Sequence, residues 1–176
     1  MDYTIHPIPI SFRKKVIDLY KEHMLVAATS PGILGWRINR QFSVYWDNGG
    51  GILGCLDTNN ELVGFVAWKI ERTLDPYRGL VVEFDDKKKR HVMVEPICWH
   101  EQLLVVPTHR GKGLGTRMMR EMFSVVNSNK ICNICHEERL VKYYGTMGFV
   151  NVYNGIVPQN PDQVYWINER GANGSE

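Results

Sequence analysis

The segment that most constrains the fold of this chain comprises residues 101–123, EQLLVVPTHRGKGLGTRMMREMF. It contains an apolar run with the length and branching of a buried strand, made of Leu103, Leu104, Val105 and Val106. A turn rich in glycine and basic residues follows at 110–115, and apolar residues then recur at helical spacing from Leu114 onward. The segment therefore predicts a strand, a basic glycine-rich turn and an amphipathic helix, in that order.

The predicted turn has the properties of a phosphate-binding site. Its glycines, at positions 111, 113 and 115, remove side chains that would keep a ligand from the backbone, and they permit positive φ angles. The first N–H groups of the following helix lack intrahelical acceptors and lie at the positive end of the helix dipole. Arg110, Lys112 and Arg117 add positive charge around these donors.

Two better-known phosphate-binding motifs do not fit this turn. A P-loop needs four residues between its first glycine and a Gly-Lys-Ser/Thr sequence, and residues 111–115 lack that spacing and the G-x-G-x-x-G spacing of a dinucleotide site. Gly49, Gly51 and Gly54 match the latter pattern, but a strand-like run follows them where a helix is required. A plain glycine-rich turn between a strand and a helix is the alternative interpretation.

Residues 110–115, RGKGLG, resemble the signature of the GCN5-related N-acetyltransferase (GNAT) family, Arg/Gln-x-x-Gly-x-Gly/Ala. Residues 140–149, LVKYYGTMGF, look like the family's Ala-x-x-Phe-Tyr-x-x-x-Gly-Phe segment, and the two segments occur in the family's order. The resemblance is close over 96–153, loose over the earlier helix and hairpin, and absent over 75–95. Glu137 departs from the family, which often has a cofactor-contacting asparagine there; a carboxylate fits poorly beside phosphates.

The resemblance implies a mixed α/β fold, with a central, mostly antiparallel twisted sheet that is flanked by helices and splayed beside residues 103–106. It implies an N-acetyltransferase that transfers the acetyl group of acetyl-CoA to a primary amine, of a small molecule or a protein, by direct attack. In the family, the glycine turn holds the pyrophosphate of acetyl-CoA and the preceding strand binds the pantetheine arm. The cofactor-binding residues so implied are Leu103, Leu104, Val105, Val106, Arg110, Gly111, Lys112, Gly113, Leu114, Gly115 and Thr116.

Two side chains are the candidates for proton transfer. Tyr144 falls on the family's tyrosine, which commonly protonates the departing CoA thiolate, and a phenol with a pKa near ~10 can do this when the sulfur is close. Tyr143 is the fallback, and a structural role in which the Tyr144 hydroxyl caps a neighbour is the alternative. Glu101 is the candidate base, because it shares a strand face with Trp99, where the family's commonest glutamate would fall. His100 is a weaker candidate, and a surface or structural role for Glu101 is equally open.

Composition agrees with one globular domain. Of the 176 residues, 44% are hydrophobic and 23% charged, and the net charge of +2 gives no reason to expect nucleic acid. We expect a single domain over residues 1–170 and a disordered tail at 171–176. The absence of a signal peptide, of a membrane-spanning run of ~20 apolar residues and of a disulfide framework indicates a cytoplasmic protein without a membrane partner. Homodimers are common in the family, which leaves a homodimer open here.

The remaining segments predict the rest of the sheet. A strand over 1–9, a helix over 11–27, a short helix and loop over 33–46 and a hairpin over 52–70 are expected before the phosphate-binding segment. A second hairpin is expected from residues 80–84 and 92–94, with a basic tip more typical of solvated surface than of an anion site. Cys132 and Cys135 form a CxxC pair, but no second pair has zinc spacing and the two point to opposite faces of a strand, so no metal is expected.

Two other functions share these sequence features. An enzyme with the same fold could use another acyl donor or a different acceptor. The second alternative is a protein of a different class, a non-catalytic CoA-binding or protein-interaction module that keeps the glycine turn but does not transfer an acyl group. Glu137 in place of the family's asparagine, and the lack of a base at the family's commonest position, favour this alternative. The sequence does not identify the acceptor. Acceptor specificity in this fold lies in residues 33–46 and 75–95, the segments whose sequence pattern is hardest to interpret.

Overall fold

The computed structural model describes residues 2–24, 42–46, 49–71, 82–85, 90–93, 97–126, 130–135, 138–151 and 164–169. Its elements are β1 (Thr4–Pro7), α1 (Arg13–Met24), β2 (Gly51–Leu56), β3 (Leu62–Glu71), β4 (Val82–Asp85), β5 (Arg90–Met93), β6 (Ile97–Val105), α2 (Leu114–Val125), β7 (Lys130–Cys135), α3 (Glu138–Thr146), β8 (Val150–Asn151) and β9 (Val164–Glu169). Short 3-10 turns precede α1 at Ile10–Phe12 and α2 at Pro107–His109. Most of the predicted helix and loop at 33–46, the tip of the second hairpin, Glu137 and the tail at 171–176 lie outside the described residues.

The predicted elements that fall within the described residues are present close to their expected boundaries. The strand, turn and helix of the 101–123 segment appear as β6, the glycine turn and α2. Both predicted hairpins are antiparallel, β2 with β3 and β4 with β5, and β4 and β5 form a separate two-stranded sheet. The alternation and turn signals in the sequence were therefore sufficient to place these elements.

The described residues belong to two compact units, and the first comprises residues 1–69 and 100–126. Its strands lie in the order β1-β2-β3-β6, with β1 antiparallel to β2 and β2 antiparallel to β3. All residues at 52–56 and 62–68 are buried, so β2 and β3 are covered on both faces. One cluster of buried residues joins α1 to the sheet through Val16, Ile17 and Phe65. The helix α2 contributes its own buried stripe: Leu114, Met118, Met119 and Met122.

A glycine allows β3 and β6 to approach closely. The N–H of Val106 donates to the carbonyl oxygen of Val63 at 2.9 Å, just beyond the end of β6. A Cβ on Gly64 would lie 2.7 Å from the Leu104 carbonyl oxygen and 3.2 Å from Cε of Met118. Since only glycine lacks a Cβ, residue 64 helps to fix where the main chain of β6 lies beside β3 and under α2.

The second unit comprises residues 70–99 and 127–176. The beginning of β6 pairs in parallel with β7, Cys98 opposite Ile131 and Trp99 opposite Cys132. β9 runs antiparallel to both β7 and β8. α3 ends at Thr146, where Gly148 adopts a φ of 82° and the N–H of Phe149 donates to the Tyr144 carbonyl oxygen at 3.1 Å. Among the described residues, β6 pairs in parallel with β7, whereas the pairs β1–β2, β2–β3, β4–β5, β7–β9 and β8–β9 are antiparallel.

No helix in the described part of the chain is long and apolar enough to cross a membrane. Within the same residues there is no group of three or more His, Cys, Asp or Glu side chains placed to hold a metal ion.

Candidate functional site

The glycine turn between β6 and α2 is open above its backbone. Gly111 and Gly113 have φ angles of 76° and 72°, a region that side-chain-bearing residues rarely adopt. A Cβ built on either glycine would meet no atom within 4 Å. Because no atom of the described residues fills the space within 4 Å of these two positions, a ligand can approach the main chain of the turn directly.

The start of α2 leaves several main-chain donors outside the helical ladder. Gly113 is the N-cap and provides no side-chain cap, and the first intrahelical bond runs from the Arg117 N–H to the Gly113 oxygen at 3.0 Å. The N–H groups of Leu114, Gly115 and Thr116 therefore precede the ladder and lie at the positive end of the helix dipole. This arrangement suits an anion.

The local charge points the same way. Between Glu101 and Glu121 the sequence contains no acidic residue, and its basic residues there are Arg110, Lys112, Arg117 and Arg120. Acidic side chains are common in the first helical turn because they complement the dipole, and α2 has none. The segment that forms the turn and the start of α2 therefore supplies positive charge and no acidic side chain, which favours an anion as its ligand.

Successive residues of β6 direct their main-chain N–H and C=O groups to opposite sides of the strand. The Val106 N–H points to Val63 on β3, so the Val105 carbonyl, on the other side of the same planar peptide, faces away from β3. By the same alternation the N–H groups of Leu103 and Val105 also face away from β3. The side chain of Leu104 is buried, at 2% exposure. Of the four strand residues predicted to bind the cofactor, Leu103 and Val105 are therefore the two whose main-chain N–H groups are not directed at β3.

The basic side chains around the turn have specific partners. The Arg110 Nε donates to the Val105 carbonyl oxygen at 2.8 Å, so this guanidinium folds back onto the end of β6. The Lys112 Nζ donates to the Tyr3 hydroxyl at 2.8 Å, and an Arg117 Nη donates to the Tyr3 carbonyl oxygen at 3.2 Å. Two of the three predicted cations thus meet at a residue from the start of the chain.

Glu101, the predicted base, lies on β6 with its side chain only 7% exposed. Its carboxylate accepts a hydrogen bond from the Tyr45 hydroxyl at 3.2 Å and lies 3.4 Å from the Lys69 Nζ. A buried carboxylate is tolerated when it is paired and hydrogen-bonded in this way. Glu101 is therefore not an exposed surface charge, and its contacts hold it in one place.

The Glu101 carboxylate borders a group of aromatic rings. Phe42 makes edge-to-face contacts with Tyr20, Tyr45 and Phe65 at centroid distances of 5.1 to 6.0 Å. Burial, and secondly the charge of Glu101, raise the pKa of the Tyr20 phenol above its ordinary value. These rings exclude water from one side of the carboxylate and strengthen its electrostatic interactions.

Tyr144, the predicted acid, belongs to α3 in the second unit and is 6% exposed. Its ring packs edge-to-face against Tyr143 at 5.2 Å and Phe149 at 5.4 Å. Its carbonyl oxygen accepts the N–H groups of Met147 and Phe149, which closes the end of the helix. The orientation of Tyr144 is thus fixed by packing on both sides and by the turn at Gly148.

Four residues that surround Glu101 or Lys112 in the structure were not identified as site residues from the sequence. Tyr45 and Lys69 contact Glu101 across 56 and 32 positions of the chain, and Tyr3 lies more than 100 positions from Lys112. His109, whose Nδ1 is 3.1 Å from the Tyr3 hydroxyl, directly precedes the family signature. Its position beside Arg110 was the one local signal available.

Comparisons with solved structures show the fold. The chain is similar to a structure described as histone acetyltransferase HPA2 and related acetyltransferase from Corynebacterium glutamicum, with 19% identity, a TM-score of 0.67 and coverage of 96% of this chain and 97% of that one. It is also similar to Arabidopsis thaliana NAA60 in complex with acetyl-CoA, with 18% identity, a TM-score of 0.64 and coverage of 96% and 99%. PaiA N-acetyltransferase from Thermoplasma acidophilum in complex with coenzyme A has 14% identity, a TM-score of 0.60 and the same coverage.

These structural likenesses confirm the predicted fold, a mixed α/β arrangement with a mostly antiparallel sheet and flanking helices. A search of curated protein sequences finds no match to this chain. The family model for the acetyltransferase (GNAT) domain matches residues 39–151. This match covers more than half of the chain, and it contains β6, the glycine turn and α2. The turn geometry, the fold and this match agree, and the chain belongs to the GNAT family of acetyltransferases.

Proposed function

We propose that this protein is an N-acetyltransferase that transfers the acetyl group of acetyl-CoA to a primary amine by direct attack. The observation that carries the proposal is the open glycine turn at the start of α2, joined through β6 to the buried carboxylate of Glu101 in the same compact unit. The turn would bind the donor and the carboxylate would accept a proton. We further propose one catalytic domain over residues 1–170, since the family match at 39–151 draws on both units.

The residues present fit acetyl-CoA. The turn offers backbone N–H groups, the positive end of the α2 dipole and, among the described residues, open space beside Gly111 and Gly113, all of which suit a pyrophosphate. The N–H groups of Leu103 and Val105 face away from β3 and can donate to the amide and thioester carbonyls of an extended arm. Complexes of NAA60 with acetyl-CoA and of PaiA with coenzyme A support this choice of donor.

Three groups of the chain would carry the reaction. When bound, acetyl-CoA supplies the thioester that the amine attacks. A main-chain N–H of β6 polarises the thioester carbonyl as negative charge develops on its oxygen. Glu101 accepts the proton of the acceptor ammonium, directly or through water, and Tyr144 donates its phenolic proton to the departing sulfur. The nitrogen of the acceptor ammonium loses two protons in all, the first to Glu101 before attack and the second as the amide forms, and the sulfur gains one from Tyr144. The second proton restores the Tyr144 phenol, directly or through water, and the first passes from Glu101 to solvent, so the transfer leaves an amide, a neutral thiol and one released proton.

The acceptor is proposed only as a class. A primary amine of a small molecule and a protein amine both remain candidates. The solved structures with this fold include one described as a NatC complex bound to Gag peptide and CoA, which makes peptide N-termini a reasonable first acceptor to assay. Lysine peptides and small polyamines complete the acceptor panel.

The first experiment is calorimetric titration of acetyl-CoA into the unmodified protein and a Gly113→Glu variant. The added carboxylate fills the open space of the turn and repels phosphates, so we expect the unmodified protein to bind acetyl-CoA and Gly113→Glu to lose that binding. Ser11→Glu is the matched control, because it adds the same charge at an exposed position before α1. No binding by the unmodified protein, or equal binding by all three, would contradict the proposed donor site.

A thiol-release assay with the acceptor panel then tests the chemistry. Glu101→Gln should lower turnover by ~10²- to 10⁴-fold, the range for a lost general acid or base, and leave acetyl-CoA affinity nearly unchanged. Tyr144→Phe should act in the same way, whereas Tyr143→Phe should have little effect. A Tyr144→Phe enzyme with full turnover would remove the assigned acid, and an active Tyr144→Phe beside an inactive Tyr143→Phe would transfer the role to Tyr143.

A further inference from the structure

Tyr3 lies where the positive side chains of the glycine turn meet. It directly precedes β1 and is buried, at 8% exposure. Its hydroxyl accepts a hydrogen bond from the Lys112 Nζ at 2.8 Å and lies 3.1 Å from the His109 Nδ1. Its carbonyl oxygen accepts a hydrogen bond from Arg117 at 3.2 Å. One residue at the start of the chain therefore contacts three residues of the segment that enters α2.

The contact leaves the positive charge available. A phenol is a neutral acceptor, so it orients the Lys112 ammonium without cancelling its charge as a carboxylate would. Because Lys112 donates to the hydroxyl oxygen, the phenolic proton can be donated to His109, whose ring stands edge-on to the Tyr3 ring at 5.8 Å.

Fixing a lysine before the ligand arrives favours binding. A free lysine side chain has many rotamers, and it loses that freedom when it binds an anion. The contacts with Tyr3 restrict Lys112 and Arg117 at the positive end of α2. Tyr3 also lies outside the 39–151 family match, so this contact is built from a part of the chain that the family signature does not include.

We propose that Tyr3 is a positioning residue of the phosphate-binding turn, which orders Lys112 and Arg117 for the phosphates of the acyl donor. The proposal rests on the proposed function, since it concerns the affinity for acetyl-CoA and not the transfer step. It specifies the kind of ligand group that depends on Tyr3: the phosphorylated half of the donor, and not its acyl-pantetheine half.

The test compares two donors and a double-mutant cycle in the full chain. Tyr3→Phe removes the hydroxyl but keeps the ring and the carbonyl that Arg117 contacts. The acetyl-CoA dissociation constant should rise by roughly 3- to 10-fold, the size of one ordinary hydrogen bond, because the hydroxyl acts on the ligand only through Lys112. S-acetyl-pantetheine, which has no phosphates, should be bound or turned over equally by both proteins. The Michaelis constant for acetyl-CoA should rise while turnover at saturation stays within about twofold.

Lys112→Met and the double variant identify the route of the effect. If Tyr3 acts through Lys112, the double variant should bind acetyl-CoA no more weakly than Lys112→Met alone. Lys112 is exposed, so Lys112→Met reports on the turn even if Tyr3→Phe is poorly folded. Unchanged or tighter binding by Tyr3→Phe, fully additive losses, or an equal loss with S-acetyl-pantetheine would each overturn the proposal. Failure of the unmodified protein to bind acetyl-CoA would instead overturn the proposed function.

Discussion

Replacing Gly64 with alanine tests how β3 positions β6. Two effects of this substitution have opposite signs. Gly64 has no positive φ, so alanine suits the backbone and should stabilise the protein by ~0.4–1 kcal/mol through the entropy of the unfolded chain. The new Cβ would lie 2.7 Å from the Leu104 carbonyl oxygen, which is main chain and cannot rotate away. Overpacking of this kind costs ~1–3 kcal/mol.

We expect the steric effect to dominate, because relief requires a shift of β6 itself. The net loss should be ~1–2 kcal/mol, which for a protein of this length lowers the melting temperature by roughly 2–8 °C. The same shift would move Leu103 and Val105, so acetyl-CoA affinity should fall together with stability. Thermal unfolding of the ligand-free protein and calorimetric titration measure the two effects separately.

Two other glycines serve as controls for the same substitution. A Cβ at Gly54 on β2 would meet Ile8 Cγ2 at 2.8 Å and Leu62 Cδ1 at 2.9 Å, which are side-chain methyl groups and not main-chain atoms. A Cβ on Gly145, within α3, would meet nothing within 4 Å. Stability should therefore rank Gly145→Ala above the unmodified protein, followed by Gly54→Ala and then Gly64→Ala. If Gly64→Ala is as stable as the unmodified protein, the close approach of β3 and β6 does not constrain the sheet as argued.

Three further predictions concern single side chains. Gly113→Ala should destabilise the protein by ~1–2 kcal/mol because of the φ of 72°, and Gly113→Asn by less, because asparagine tolerates this conformation and caps helices; equal urea midpoints for both and the unmodified protein would contradict the backbone argument. Burial, and secondly the charge of Glu101, raise the pKa of the Tyr20 phenol in the folded protein. The stability that the neutral phenol contributes is therefore fully present below the unfolded pKa, at pH ~10, and is lost as the pH rises through the higher folded pKa. Urea midpoints between pH 8 and 11 should fall less steeply for Tyr20→Phe, and parallel curves would refute this. Asn133 is 4% exposed, and its Nδ2 has no hydrogen-bond partner in the described part of the chain, so Asn133→Leu should stabilise the protein by ~1–3 kcal/mol; a loss of stability would contradict the assignment of Nδ2 as an unsatisfied donor.

The sequence predicted the local structure well because the signals are local. The apolar run, the glycines at 111 and 113 and the periodicity after Leu114 lie within one short segment. Each fixes a backbone property by itself: an extended strand, positive φ angles and a helix start without a side-chain cap. The same holds for the end of α3, where Gly148 supplies the left-handed residue before Phe149.

The roles of side chains were less predictable for a physical reason. Residue spacing on β6 assigned Glu101 to a face but not to partners, because those come from Tyr45 and Lys69 on other elements. Basic residues near the turn are predicted to surround a phosphate, and the structure adds contacts that the sequence did not indicate: Arg110 folds back onto Val105, and Lys112 and Arg117 meet at Tyr3. A charge count gives the sign of the potential, and only packing decides where each charge lies.

The sequence by itself determined the elements, the open glycine turn and the membership of the GNAT family, because periodicity, glycine placement and short motifs are properties of neighbouring residues. The tertiary structure decided which distant residues complete each cluster. Tyr3 reaches Lys112 because β1 lies beside β2 and α2 packs on the same unit, and Glu101 is buried because β3 brings Lys69 beside β6. Contacts of this kind depend on how the chain returns to itself, and no local pattern in the sequence encodes that return.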